Sequence, residues 1–130
     1  MKFLNPRVHG YLDYLAVALL ALAPTLFGFG GIAAMLCYAL AVAQLGMSLL
    51  TAYPLGIKHV IPFTVHGGVE VAVTILLLVA PWLLGFEGNL SARNFFLAAG
   101  IGLGLVYLTT DYRAADEYRR GTRIRRAAQA

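Results

Sequence analysis

A chain of 130 residues that is 60% hydrophobic and only 12% charged cannot clothe a water-soluble globule, in which about a quarter of the residues are charged. The length suits one domain, and the single cysteine excludes an intrachain disulfide. The formal net charge of +4 is concentrated at one end of the apolar segments, which points to membrane orientation and not to a nucleic-acid partner.

The apolar residues fall into four stretches, roughly 9–28, 32–53, 64–86 and 91–112. Each has about the 20 residues that a helix needs to cross a hydrocarbon core of roughly 30 Å. The expectation is an all-α membrane protein, a four-transmembrane-helix bundle forming a single membrane domain over 1–130. The first stretch imitates a secretory signal, with Lys2 and Arg7 ahead of it and Ala21-Leu22-Ala23 near its end. Pro24 stands just beyond that site and disfavours cleavage, and Asp13 interrupts the apolar run, so the segment is expected to stay as the first helix.

Pro6 and Pro62 suit the first turns of the first and third helices, where a missing N–H costs nothing. Pro24 and Pro81 lie near the far ends, where they are expected to kink or terminate. Gly28, Gly30 and Gly31 make a tight turn into the second helix. A longer turn through Gly85, Glu87, Gly88 and Asn89 leads to the fourth, with Asn89 or Ser91 as its N-cap. Phe27, Phe29, Trp82 and Phe86 collect at one end, and Tyr11, Tyr14, Tyr53 and Tyr112 at the other, as an interfacial belt. Cys37, mid-membrane, reads as a small packing residue. Gly100 and Gly104 form a G-x-x-x-G spacing that lets backbones approach, within the chain in the first instance and between two copies as the alternative.

Lys2, Arg7, Lys58, Arg113, Arg119, Arg120, Arg123, Arg125 and Arg126 lie on the side of both termini and the middle loop, against Arg93 alone on the other. The positive-inside rule then places both termini in the cytoplasm, in a multi-pass membrane protein. The basic tail, 113–130, is expected to rest on anionic headgroups at about 1 kcal/mol per basic residue.

The chain also echoes itself. Val8-His9-Gly10-Tyr11-Leu12-Asp13 begins one segment, which closes on Ala23-Pro24-Thr25-Leu26-Phe27-Gly28-Phe29. Fifty-seven positions later Val65-His66-Gly67-Gly68-Val69-Glu70 begins another, which closes on Ala80-Pro81-Trp82-Leu83-Leu84-Gly85-Phe86. Leu50-Thr51-Ala52-Tyr53 is matched by Thr109-Thr110-Asp111-Tyr112. A fixed offset implies two copies of a helical hairpin, about 5–56 and 61–115, in parallel orientation. These elements, V-H-G-x-x-[DE], A-P-x-x-x-G-F and T-x-Y, resemble the SPW-repeat family of small bacterial membrane proteins over about residues 5–112. Ser is absent from both copies of that family's Ser-Pro-Trp motif and Trp from the first, since Ala23-Pro24-Thr25 and Ala80-Pro81-Trp82 stand there. The resemblance implies a two-repeat, four-helix protein of a bacterial inner membrane and brings no activity or site residues with it.

Residues four apart share a helix face, so His9 stands over Asp13 and His66 over Glu70. Parallel hairpins bring both pairs to one depth, with Tyr53, Asp111 and Tyr112 at the same level. A carboxylate within a membrane helix is costly and normally faces the interior with a partner. One reading is self-satisfaction, each acid bonding its own His or a Tyr or Thr next door and pinning the hairpins together. The others are a divalent transition metal held by His9, Asp13, His66 and Glu70, a proton relay within a transport path, and a haem between His9 and His66. No catalytic residue is assigned: there is no phosphate-binding Gly-rich loop with its Lys and no H-E-x-x-H, and Gly100-Ile101-Gly102-Leu103-Gly104 does not fit G-x-G-x-x-G. Want of a complete cofactor motif tips the balance toward a structural or interaction module, partnered by the lipid bilayer and by a second copy or another membrane protein. A metal-, proton- or small-ligand-handling protein is the alternative, and no particular cofactor is implied.

Overall fold

The computed structural model describes residues 2–130. It has five helices in chain order: α1 (Pro6–Phe27), α2 (Gly31–Leu50), α3 (Phe63–Leu83), α4 (Leu90–Thr109) and α5 (Arg113–Gln129). The first four are long and apolar enough to cross a membrane, and they form the expected bundle. Their outer surfaces carry large apolar side chains, such as Val42 at 74% and Met35 at 69% exposure, which suits lipid as the surrounding solvent.

The helix ends follow local chemistry. Asn5 caps α1 by accepting from the Val8 N–H at 2.9 Å, and Pro6 takes the first helical position. Pro24 lies in the last turn of α1, and the chain leaves the helix at Gly28 (φ 68°), whose N–H reaches the Pro24 carbonyl. Pro81 likewise precedes the end of α3 by two residues. Asn89, and not Ser91, caps α4, accepting from the Ala92 N–H at 3.2 Å.

Three details differ from the sequence expectation. Pro62 is the residue before α3 and not within its first turn, because Ile61 is held extended against the end of α2. The helices α2 and α4 stop short of Tyr53 and Tyr112, because Thr51 and Thr110 leave the helical path to pair with Ile61 and Leu4. The basic tail is itself a helix, α5, its first turn capped by Asp111, whose Oδ1 accepts from the N–H groups of Arg113 (3.1 Å) and Ala114 (3.2 Å).

Packing runs in two pairs, α1 along α2 and α3 along α4, with lesser contacts of α1 on α4 and α3 on α5. A core of small and aromatic residues, including Ala23, Ala33, Cys37, Ala80, Ala92 and Phe96, draws on all four apolar helices. The Gly100–Gly104 stripe is used within the chain. A Cβ on Gly100 would sit 2.8 Å from Leu78 Cδ2, and one on Gly104 would sit 3.4 Å from Thr74 Cγ2, both on α3.

At the other end of the bundle the backbone is tied crosswise. Ile61 N–H donates to Leu50 O at 2.8 Å, and Ala52 N–H donates to Ile61 O at 2.8 Å. At the matching positions Leu4 N–H donates to Thr109 O at 2.9 Å, and Asp111 N–H donates to Leu4 O at 3.0 Å. These short bridges fix Thr51 and Thr110, and with them Tyr53 and Tyr112, over the first turns of α3 and α1.

Candidate functional site

His9 and Asp13 project from the first two turns of α1, and His66 and Glu70 from those of α3. All four are buried, the histidines completely and the acids at 3% exposure. Gly10 and Gly67 adjoin the histidines and open room for the opposing wall. A Cβ on Gly67 would lie 2.9 Å from the Tyr112 ring, and one on Gly10 would lie 2.8 Å from Leu55. Leu55 ends in a flexible chain, whereas Tyr112 is anchored through its hydroxyl. Gly67→Ala is therefore expected to lower stability by about 1–3 kcal/mol, the usual range for overpacking, and by more than Gly10→Ala does. Thermal melts of the two variants in detergent check the order.

The imidazoles are oriented across the two hairpins. His9 Nδ1 lies 2.8 Å from Thr110 Oγ1, and His66 Nδ1 lies 2.7 Å from Thr51 Oγ1. Each threonine spends its only hydroxyl proton on a carbonyl one turn back, Thr110 on Val106 at 2.6 Å and Thr51 on Met47 at 2.5 Å. The hydroxyl oxygen therefore meets the imidazole as an acceptor, and Nδ1 carries the proton. In the neutral ring Nε2 is then a bare lone pair.

Both Nε2 atoms face the two carboxylates. His9 Nε2 is 3.3 Å from Asp13 Oδ1 and 3.1 Å from Glu70 Oε1. His66 Nε2 is 3.3 Å from Asp13 Oδ2 and 3.8 Å from Glu70 Oε1. Despite this proximity, His9 Nε2, His66 Nε2 and Glu70 Oε1 make no hydrogen bond. These atoms are thus close neighbours that leave hydrogen-bonding capacity unused. One ligand atom from each of the four residues lies within 4.8 Å of every other. Tetrahedral bonds of 2.0–2.1 Å to a zinc-like ion would separate their ligand atoms by about 3.3 Å, close to three of the four nitrogen–oxygen distances here and shorter than the 3.8 Å from His66 to Glu70.

Each carboxylate also accepts from a tyrosine. Tyr53 OH donates to Asp13 Oδ2 at 2.9 Å, and Tyr112 OH donates to Glu70 Oε2. Burial first, and then the charge of Asp13 for Tyr53 or of Glu70 for Tyr112, pushes both phenols well above their ordinary range, so they stay protonated donors. Phe63, fully buried, closes the end of the site, with its ring centroid 5.0 Å from that of His9 and 5.8 Å from that of His66.

Six of the seven sequence candidates thus meet, namely His9, Asp13, His66, Glu70, Tyr53 and Tyr112. Asp111 does not, being committed to the cap of α5. A haem between the histidines has no space, because the carboxylates of Asp13 and Glu70 occupy the region a macrocycle would fill. Thr51 and Thr110 were visible in sequence only as part of the T-x-Y echo, and Phe63 gave no signal, since its matching position holds Pro6. No protein-family model matches this chain, and neither the curated proteins nor the solved structures yield a match.

Proposed function

We propose that this membrane protein holds a divalent transition-metal ion of the zinc class at His9, Asp13, His66 and Glu70, as a staple between its two helical pairs. The observation that carries the reading is the approach of two imidazole Nε2 atoms, neither hydrogen-bonded, to two buried carboxylates, with one ligand atom from each of the four residues within 4.8 Å of the others. Two carboxylates neutralise a divalent ion, so the filled site carries no net charge into a low-dielectric interior. The threonines supply the outer contacts that fix the imidazole tautomer, and the tyrosines those that orient the carboxylates, as metal sites require. Four protein ligands leave no open position, which suits a structural ion better than a hydrolytic one. The structural module and the metal-handling protein thereby become one proposal.

The fifty-seven-residue echo and the matched backbone bridges support descent from a duplicated hairpin, in the manner of the SPW-repeat family. The Lys and Arg asymmetry supports a metal site near the cytoplasmic face, and the resemblance to the SPW-repeat family supports a bacterial plasma membrane.

The test is elemental analysis of protein purified without chelator, followed by replacement with cobalt(II). Stoichiometric metal and the intense visible bands of tetrahedral cobalt are expected. Zinc at about a hundredfold over its Kd is expected to add about 2.7 kcal/mol of stability to the stripped protein. Metal-free protein that neither binds cobalt nor gains stability from zinc would sink the proposal, and would leave two imidazolium–carboxylate pairs as the content of the site.

A further inference from the structure

The arginines of α5 do not all point the same way. Ala115, Arg119, Arg123 and Arg126 are spaced by four, four and three, and so share one face of the helix. Ala115 is buried against Tyr53 and Phe63, which turns this face toward the bundle. Beyond Ala115 the face runs along an open cleft of about 850 Å³ between α5, the start of α1 and the segment after α2. Arg119, Arg123 and Arg126 line one wall, and Arg7 and His59 line others, with Tyr53 also contributing. No Asp or Glu among the described residues lines it.

Four arginines, Arg7, Arg119, Arg123 and Arg126, line one concavity that no Asp or Glu among the described residues lines, so an anion entering it meets positive charge alone. A guanidinium fork matches phosphate oxygens in two-point fashion, and the volume falls within the roughly 300–1,000 Å³ typical of small-ligand pockets. The cleft opens at the helix ends, at the level where a lipid phosphate would lie. A diffuse basic tail attracts any anionic surface, whereas a concave set of four arginines on two elements selects a ligand that can enter it.

We propose that this cleft is a binding site for a phosphate-bearing anion, held between Arg7 of α1 and Arg119, Arg123 and Arg126 of α5. The site lies outside the four-residue cluster and depends on none of its metal chemistry. The phosphate belongs either to a phospholipid headgroup or to a soluble molecule, and two measurements on the full chain separate these sources.

In the first, protein in nanodiscs of phosphatidylcholine and phosphatidylglycerol is released for native mass spectrometry, and the retained lipid is counted. In the second, inorganic pyrophosphate is titrated calorimetrically into protein in an uncharged detergent. The cleft variant is Arg119→Gln with Arg123→Gln. The control is Arg120→Gln with Arg125→Gln, which removes the same charge from residues that do not line the cleft. The expected result is selective retention of phosphatidylglycerol, or saturable pyrophosphate binding, weakened about tenfold or more in the cleft variant and much less in the control. Retention alone identifies a headgroup, and pyrophosphate binding identifies a soluble phosphate. If the cleft variant does not fold, Arg7→Gln with His59→Gln, from the other walls, takes its place. Equal losses in the cleft and control variants, or binding in neither measurement, would overturn the proposal, since either shows net charge without a site.

Discussion

Replacing His9 and His66 together by alanine is expected to abolish stoichiometric metal and to separate the two helical pairs at lower temperature than in any single variant. Two of four ligands are removed, and with them both neutral donors. The remaining carboxylates would face each other with only the Tyr53 and Tyr112 hydroxyls as partners. Structural zinc contributes about 10–16 kcal/mol of apparent binding energy in small domains near neutral pH, so loss of half the ligands removes most of what the ion adds. Truncation of two fully buried rings also leaves cavities, which destabilise whether or not an ion is held. A chelator separates the two effects. It should lower the melting temperature of the wild type and leave that of the double variant unchanged, as a thermodynamic cycle requires when the variant has no ion to lose. His59→Ala, at an exposed position, should alter neither quantity. Acid should act as the chelator does, because protons compete for the same lone pairs: metal content falls as pH falls and recovers on neutralisation. A double variant whose melting still responds to chelator would locate the ion elsewhere.

The membrane helices and the pairing of His with acid were legible because both depend on local periodicity. Twenty apolar residues make a span wherever they occur, and a four-residue spacing sets His9 over Asp13 before any tertiary contact exists. The depth of Tyr53 and Tyr112 was legible too, from their place at the ends of the apolar runs. The partners of Nδ1 were not. Thr51 belongs to the first hairpin and serves His66 of the second, while Thr110 does the reverse, an exchange that arises only when the strand-like bridges at Ile61 and Leu4 bend both helix ends inward. Asp111 was misplaced for the opposite reason. Its position suggested the cluster, but an Asp followed by helix-forming residues caps its own helix at less cost than entering a buried site. Helix α5 was read as a tail because its arginines masked the three- and four-residue spacing of its inner face.

Removing the threonine hydroxyls should then weaken metal binding without touching a ligand. Valine matches threonine in shape but offers no acceptor, so Thr51→Val leaves the buried His66 Nδ1–H unpaired, and Thr110→Val does the same to His9. An unpaired buried donor costs about 1–3 kcal/mol. The ring can avoid that cost by moving its proton to Nε2, but a protonated Nε2 points at the metal position and excludes the ion. Either response lowers affinity, by about 10–100-fold per site on the usual scale for outer contacts of metal ligands. Serine distinguishes this cause from packing, because Thr51→Ser and Thr110→Ser keep the oxygen and lose the methyl. Cobalt titrations should therefore rank the wild type close to the serine variants and well above the valine variants, with the double valine variant weakest. Thr109→Val supplies a neighbouring control, since that hydroxyl bonds only to carbonyls of its own helix, Leu105 at 2.7 Å and Val106 at 3.3 Å. Valine variants that bind cobalt as tightly as the serine variants would show that the Nδ1–threonine bonds do not set the tautomer, and the lone-pair argument for the ion would fall with them.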